Sequence, residues 1–249
     1  MNHLKHLLYQ MADDQLILGH RNSEWTGFGP LLEEDIAFSS MAQDKVGHSL
    51  ALYTLLHQLG EAEPDTVAFT RHAQDFKNCQ MVELPNGEYD FSIVRHFLYD
   101  TAESLRFELL ADSSYQPLAD LAKKIKGELR YHTMHGNYWM KKLGSATEES
   151  KARMQQSLNQ LLPYALGLFE KSEFEGKIID EKIFAGEDAL KAKWKTRVSE
   201  IIKTTDLTLP DWATINPIEG GRKGIHSEHL QPLLNEMGEV FRMDPAAEW

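Results

Sequence analysis

The sequence has one cysteine, no long apolar run and no excess of positive charge. Cys79 alone cannot form an internal disulfide or a multi-cysteine zinc site. Its neighbours Asn78 and Gln80 supply no base that would activate the thiol, so we expect Cys79 to be unreactive. No apolar stretch approaches the roughly 18 residues of a membrane-spanning helix, and the N-terminus lacks the apolar region of a signal peptide. These absences predict a cytoplasmic protein that does not enter the membrane.

The balance of charge argues against a nonspecific nucleic-acid-binding protein. There are 26 Lys and Arg residues against 38 Asp and Glu residues, a formal net charge of −12. A nonspecific nucleic-acid-binding protein would need a basic patch, which this balance disfavours. At 249 residues the chain can bury a large core. We expect one domain over residues 1–249, with a helical core at about 3–144 and additional helices and a C-terminal segment at about 147–249.

Apolar residues recur at helical spacing along most of the chain, and no alternating strand pattern or repeat period is present. We therefore predict an all-α fold. Pro163 should kink or divide the fifth of its long helices, because proline removes a helical hydrogen bond. The predicted helices cover about residues 4–18, 31–59, 66–76, 90–112, 118–143, 147–171, 187–204 and 226–242.

Two histidine-containing motifs organise the functional interpretation: residues 43–48 (QDKVGH) and residues 128–132 (ELRYH). An acid three residues before a histidine lies on the same helix face, so two such pairs can hold two metal ions inside a bundle. Here Lys45 and Leu129 occupy the positions of the acids. Neither an ammonium nor an alkyl group can replace a carboxylate ligand. Each motif therefore resembles half of a metal site without its carboxylate.

Two more polar residues interrupt apolar stripes near the middle of their helices, and these are Gln15 and Asp100. Polar groups in the middle of four helices suggest one buried layer. Ferritin-like di-iron carboxylate proteins have this plan, with an acid from each of two helices and Glu-x-x-His from each of the other two. In this chain the corresponding ligand positions hold Gln15, Lys45, His48, Asp100, Leu129 and His132.

Three residues of this layer could still bind a metal: His48, Asp100 and His132. Two histidines and a carboxylate would suit a mononuclear iron or zinc site, which leaves open a self-sufficient metal-dependent oxygenase. The positive charge of Lys45 opposes a nearby metal ion. The prediction that we favour is a metal-free polar layer with no catalytic or cofactor-binding residue in this chain.

Lys45 is expected to neutralise the layer in place of a metal ion, through an ion pair with Asp100, Asp44 or Glu128. His135 faces inward near His132 and could join the layer. The remaining histidines of the helical regions are expected at the surface or at satisfied core positions, and they are His20, His57, His72 and His96.

The glycines at residues 220–224 (GGRKG) lack the spacing of a phosphate-binding loop. They begin a longer run, residues 220–230 (GGRKGIHSEHL), and this run resembles a C-terminal signature of the C subunit of bacterial phenylacetyl-CoA monooxygenases, the ring 1,2-epoxidases of aerobic phenylacetate degradation. Shorter stretches support the resemblance, and they are residues 24–25 (EW), 47–48 (GH), 84–87 (LPNG) and 130–132 (RYH).

The resemblance implies a ferritin-like four-helix bundle with additional C-terminal helices. In the related catalytic A subunit the motifs are Gln-Asp-Glu-x-Gly-His and Glu-Glu-x-Phe-His, so this chain departs at Lys45 and Leu129, the ligand positions. The implied function is a non-catalytic structural subunit that pairs with the di-iron A subunit. A B subunit and an iron–sulfur flavin reductase would complete the complex, and the iron, O₂ and CoA thioester would belong mainly to the A subunit.

Overall fold

The computed structural model describes residues 1–245 and residue 247. These residues form α-helices joined by loops and short 3₁₀ turns, without a β-strand. The predicted all-α, ferritin-like fold class is confirmed. The helices are α1 Asn2–Ser23, α2 Leu32–Gln58, α3 Pro64–Thr70, α4 Tyr89–Leu110, α5 Gln116–Leu143, α6 Glu148–Leu166, α7 Glu175–Asp180, α8 Glu187–Ile202, α9 Leu230–Met237 and α10 Glu239–Met243.

The chain divides into two compact units. The first unit contains residues 1–85 and the C-terminal segment that starts at Gly220, and its central feature is the packed pair α1 and α2. The second unit contains residues 86–219, where α5, α6 and α8 pack against α4. The predicted additional region at 147–249 is thus shared between the units. The single domain over residues 1–249, with its core at 3–144, stays a prediction.

Helix α1 is buried on nearly every side between Gln10 and Gly19. This part of the helix includes the charged residues Asp13 and Asp14, together with Gln15. Polar groups taken out of water need hydrogen-bond or ion-pair partners, because an unsatisfied buried group is destabilising. The interior of the first unit is therefore built around polar contacts as well as apolar ones.

Helix α2 is apolar on both its inward and its outward face. The helical spacing of Leu32, Ile36, Leu50 and Leu55 predicts that they lie on or near one core face, but the first three are 72%, 60% and 51% exposed, and only Leu55 is buried. The prediction was wrong for these three residues. Apolar spacing identifies a helix, but it does not tell which of two apolar faces is turned to the core. The helix ends before Gly60, whose φ of 91° confirms the predicted left-handed position.

The later helices differ from the predictions in three places. Pro163 does not divide α6, because it lies in the last turn, where its carbonyl accepts a hydrogen bond from the Ile218 N–H at 3.0 Å. The short helix α7 was not predicted. The helix predicted at 226–242 starts only at Leu230 and is split at Gly238. None of the described helices is both long and apolar enough to cross a membrane.

Candidate functional site

The first unit contains three of the six predicted layer residues. Gln15 on α1 and Lys45 on α2 are completely buried, and His48 is 4% exposed. Their predicted inward orientation is confirmed. Gln43 and Gly47 were also predicted to face inward, but both are exposed. They lie on the opposite side of α2 from Lys45 and His48, since residues two positions apart do not share a helix face.

Gly19 allows α1 to approach the Lys45 turn of α2. A Cβ atom at this glycine would lie 3.2 Å from the Cβ of Lys45 and 3.0 Å from the Cγ2 of Val46. One turn later, Ser49 donates a hydrogen bond from its hydroxyl to the Ala12 carbonyl at 2.9 Å. These contacts hold α2 directly against α1, which keeps the long Lys45 side chain out of water.

The second unit places Asp100 of α4 between two imidazoles. His96, one turn earlier on the same helix, contacts one carboxylate oxygen through Nδ1. His132 of α5 has its Nδ1 3.7 Å from the other oxygen. The three side chains are at most 1% exposed. The structure thus brings Asp100 and His132 together, as predicted, and adds His96, which we had expected to be an ordinary surface or core histidine.

His135 extends this cluster along α5. Its ring centroid lies 5.3 Å from that of His96, and the His96 and His132 centroids are 6.0 Å apart. Gly136 makes this proximity possible, because a Cβ atom there would be 3.2 Å from the Cα of Phe97. The predicted inward orientation of His135 is confirmed, since it is buried. Leu129, one turn before His132 on α5, is completely buried and apolar.

These residues do not fit a di-iron centre. Such a centre requires an acid at each of the positions that Lys45 and Leu129 occupy, and neither side chain has a lone pair for a metal ion at neutral pH. Asp100, the one carboxylate of the layer, is in contact with two imidazoles. Within residues 1–245 and 247, no three His, Cys, Asp or Glu side chains are grouped so that they could hold a metal ion.

The C-terminal signature has a structural position in the first unit. Arg222 is buried and donates from Nη1 and Nη2 to the two carboxylate oxygens of Asp14 at 2.9 and 2.7 Å. It also donates to the carbonyls of Gln10 and Lys77. A bidentate arginine–carboxylate pair is the geometry expected of a strong buried ion pair. The signature therefore ties the C-terminal segment to α1.

A second buried acid, Glu83, is contacted by two later residues of the signature, His226 and Ser227. His226 contacts Glu83 Oε1 through Nδ1 at 2.6 Å and the Phe76 carbonyl through Nε2 at 3.1 Å. Both partners of the ring are hydrogen-bond acceptors. Ser227 donates from its backbone N–H and its hydroxyl to Glu83 Oε2 at 2.7 and 2.6 Å. These bonds hold His226 and Ser227 against Glu83, which explains why helix α9 begins at Leu230 and not at the predicted residue 226.

Two glycines of the signature have backbone conformations or contacts that a side chain would disturb. Gly220 has a φ of 120°, in the region that L-residues rarely adopt. A Cβ atom at Gly221 would lie 2.3 Å from the Asn78 carbonyl oxygen. The run at residues 220–224 is therefore a tight connection against the loop at 78–80, which agrees with the absence of phosphate-loop spacing.

Cys79 lies next to Asp14, the acid that Arg222 binds. It is 2% exposed, and its backbone N–H donates to Asp14 Oδ1 at 2.7 Å. Burial, together with the negative charge of Asp14, raises the pKa of the thiol well above its ordinary value. The predicted low reactivity follows from these contacts.

A comparison with known proteins gives the same family as the sequence motifs. A family model described as "Phenylacetic acid catabolic protein" matches residues 1–249. The chain belongs to the phenylacetic acid catabolic protein family. A member of known name, the C subunit of the 1,2-phenylacetyl-CoA epoxidase of Escherichia coli strain K12, is 33% identical over 250 residues, which cover 100% of both chains.

Membership of the phenylacetic acid catabolic family agrees with the resemblance found in the motifs. Sequence reasoning missed the partners of the buried acids, because Arg222 lies 208 residues from Asp14 and His226 lies 143 residues from Glu83. A signal was nevertheless present. Two consecutive acids, Asp13 and Asp14, stand in the middle of α1 between buried apolar residues, and such acids need cations or hydrogen-bond donors elsewhere in the chain.

Proposed function

We propose that this chain is a non-catalytic structural subunit of a multicomponent phenylacetyl-CoA 1,2-epoxidase, acting in the cytoplasm in aerobic phenylacetate catabolism. One observation carries the proposal. Lys45 and Leu129 are completely buried at the two positions where the catalytic A subunit has carboxylate ligands. A buried cation and a buried alkyl group make a poor environment for two metal ions.

The proposed partner is the di-iron A subunit, and a B subunit and an iron–sulfur flavin reductase complete the complex. In this arrangement the iron, the O₂ and the CoA thioester are bound by the A subunit, and this chain supplies no cofactor. The support for this partner is the full-length similarity to a protein that is itself named as the C subunit of an epoxidase.

The test is co-expression of the chain with the A subunit in iron-supplied cells, followed by measurement of complex mass, iron content and epoxidation. We expect a stable complex whose iron remains with the A subunit when the chains are separated. The isolated chain should contain substoichiometric iron and show no turnover of phenylacetyl-CoA with a reductant. Stoichiometric iron on the isolated chain that is lost on His48→Ala would contradict the proposal.

The alternative, a self-sufficient oxygenase that uses His48, Asp100 and His132, makes the opposite prediction for the isolated chain. The contact of Asp100 with His96 disfavours it, because the carboxylate would have to exchange that partner for a metal ion. Turnover by the isolated chain, abolished by Asp100→Asn, would establish the alternative.

A further inference from the structure

The outward side of α5 carries large exposed residues on one helix face. Tyr131, Met134 and Tyr138 are 42%, 61% and 56% exposed. They are three and four positions apart, as neighbours on a helix surface are, and Gly127 continues the same row one turn earlier. We call these four residues the Tyr131 face. From Gly127 to Tyr138, a separation of 11 positions, it extends about 16 Å along the helix.

Gly127 stands inside a 28-residue helix. It is exposed, and a Cβ atom there would meet no described atom within 4 Å. Glycine destabilises a helix interior relative to alanine. No close contact within the described residues compensates for this, unlike at Gly136 on the opposite side of α5, which packs against Phe97. The open space above Gly127 would admit a neighbouring helix at short distance.

Two lysines precede the Tyr131 face on α5 and two follow it. The first pair is Lys123 and Lys124, and the second pair is Lys141 and Lys142. The pairs are about 25 Å apart along the helix axis. The helix macrodipole accounts for cations in the last turn of α5, and in its first half, among the described residues, Lys123 has one exposed acid nearby, Asp120 at 3.8 Å. In a chain with a net charge of −12, this local excess of cations favours a partner surface with carboxylates near both ends.

The aromatic rings of this face are already held in place. The Tyr131 ring centroid is 6.4 Å from the ring centroids of His132 and of His135, and the Tyr138 ring is 5.4 Å from that of Trp139. Ordered aromatic side chains lose little conformational freedom on binding, and tyrosine and methionine are enriched in the cores of protein interfaces. Because His132 and His135 lie directly behind Tyr131, a partner on this face would cover the histidine cluster.

We propose that the Tyr131 face binds a helix of the partner subunit, with apolar contacts at its centre and carboxylates opposite the lysines at its ends. This inference rests on the proposed function, because it takes the A subunit to be the partner. Helix α2 also has exposed apolar residues, but the acids beside them, Glu33 and Asp35, lie in the first turn of that helix, where the macrodipole accounts for negative charge.

The decisive measurement is the affinity of the full chain for purified A subunit, by biolayer interferometry at two salt concentrations. We expect Met134→Asp to weaken binding at least about 30-fold, as for a residue at the centre of an interface. Its matched control is Met243→Asp, which changes another exposed methionine, on α10, and its affinity should stay within about 2-fold of the wild type.

The double variant Lys141→Glu/Lys142→Glu tests the charged ends of the face. Its affinity should fall about 10-fold and depend less on salt, whereas Lys191→Glu/Lys193→Glu on α8 should change neither.

Gly127→Ala separates binding from folding. It should raise the melting temperature of the free chain, since the helix gains a better residue in open space, and it should nevertheless weaken binding because the added methyl meets the partner helix. A variant that is more stable than the wild type cannot bind weakly through unfolding.

The outcomes are distinguishable. If the wild type binds the A subunit and Met134→Asp and Gly127→Ala bind equally well, the Tyr131 face is not the interface, and the proposed function stands. If the wild type does not bind the A subunit, the proposed function fails and this inference fails with it. If Met134→Asp abolishes self-association in sedimentation while binding to the A subunit is unchanged, the occupant is a second copy and the assignment of the partner is overturned.

Discussion

The two units bury their carboxylates in different ways. In the first unit Asp14 is paired with Arg222, a permanently charged partner 208 residues away in the chain. In the second unit Asp100 is in contact with His96, four residues earlier on the same helix. The carboxylate at Asp14 therefore depends on a long-range ion pair, whereas the one at Asp100 has a local contact on its own helix, although the second unit also buries a long-range pair, Arg106 with Glu187.

The two predicted ligand positions also differ between the units. The first unit has a buried cation at its position, Lys45, and the second has a buried hydrocarbon, Leu129. A charge must be compensated when it is buried, whereas an alkyl group is not penalised. We infer that the Lys45 position of the first unit is more sensitive to changes in charge than the Leu129 position of the second.

The strongest test of this difference is Arg222→Met. It leaves the Asp14 carboxylate buried without its cation, and we expect a loss of about 3–5 kcal/mol in the free energy of unfolding. Since Cys79 donates to Asp14 through its backbone, its thiol should react with Ellman's reagent at lower urea than in the wild type.

The matched control is Arg106→Met in the second unit, which removes the cation from buried Glu187. It should lower stability comparably but leave the reactivity of Cys79 below the main unfolding transition unchanged. Equal protection of Cys79 in both variants would show that the units do not open separately.

Lys45→Glu tests whether one acid at a predicted ligand position is enough to form a di-iron centre. We expect no spectrum of an oxo-bridged di-iron centre, because Gln15 and Leu129 still occupy ligand positions. The new buried charge should lower stability by about 2–4 kcal/mol. Lys45→Met, which adds no charge, is the control with the smaller expected loss. Iron analysis and electronic absorption decide, and a normal di-iron spectrum would contradict our interpretation of the layer.

His96→Ala tests the local arrangement of the second unit. Removal of the imidazole takes one partner from the buried Asp100 carboxylate, so we expect a loss of about 1–3 kcal/mol in urea unfolding. His57→Ala, at an exposed position of α2, should change stability by less than about 0.5 kcal/mol. Equal effects of the two substitutions would mean that His96 does not support Asp100.

Two glycines of the first unit should respond in opposite directions to alanine. Gly47→Ala should stabilise the free chain by about 0.5–1 kcal/mol, because this position faces open space in the middle of α2. Gly19→Ala should destabilise it, because the new methyl would meet Val46 and Lys45. Thermal unfolding of both variants checks the pair, and stabilisation by Gly19→Ala would show that α1 and α2 can move apart easily.

The smallest effect is expected at Glu61. Hydrogen bonds from Lys5 and Tyr9 lower the pKa of its carboxyl group below the ordinary value of 4.5. A carboxyl with a lowered folded pKa contributes stability that is present above its unfolded pKa and is lost as the pH falls through the folded value. Glu61→Gln should therefore cost about 0.2–1 kcal/mol at pH 7 and progressively less below pH 4.5. A pH-independent difference would rule out this origin.

Helical spacing was enough to locate the long helices and the inward orientation of Gln15, Asp100 and His132, because each interrupts an apolar stripe. It failed at Leu32 and Ile36, where α2 presents apolar residues to both sides. Where apolar residues lie on both sides of a helix, their spacing alone does not tell which side is covered.

The partners of the buried charges were beyond sequence reasoning for a different reason. Arg71 binds Asp13 across 58 residues, with a shortest distance of 2.6 Å, and such a pair leaves no local pattern. The contact between His96 and Asp100 could have been predicted, since a spacing of four residues puts both on one helix face. Treating it as an ordinary histidine overlooked that relation.

The pairing of Asp14 with Arg222 has a consequence for the order of synthesis on the ribosome. The 208 residues between them take about 10–40 s to translate at roughly 5–20 residues per second. During this interval residues 86–219 emerge complete, while α1 still carries an uncompensated acid. The first unit can close only when the segment that contains Arg222 has left the exit tunnel, so a product terminated before Arg222 would be left without this ion pair and open to proteolysis.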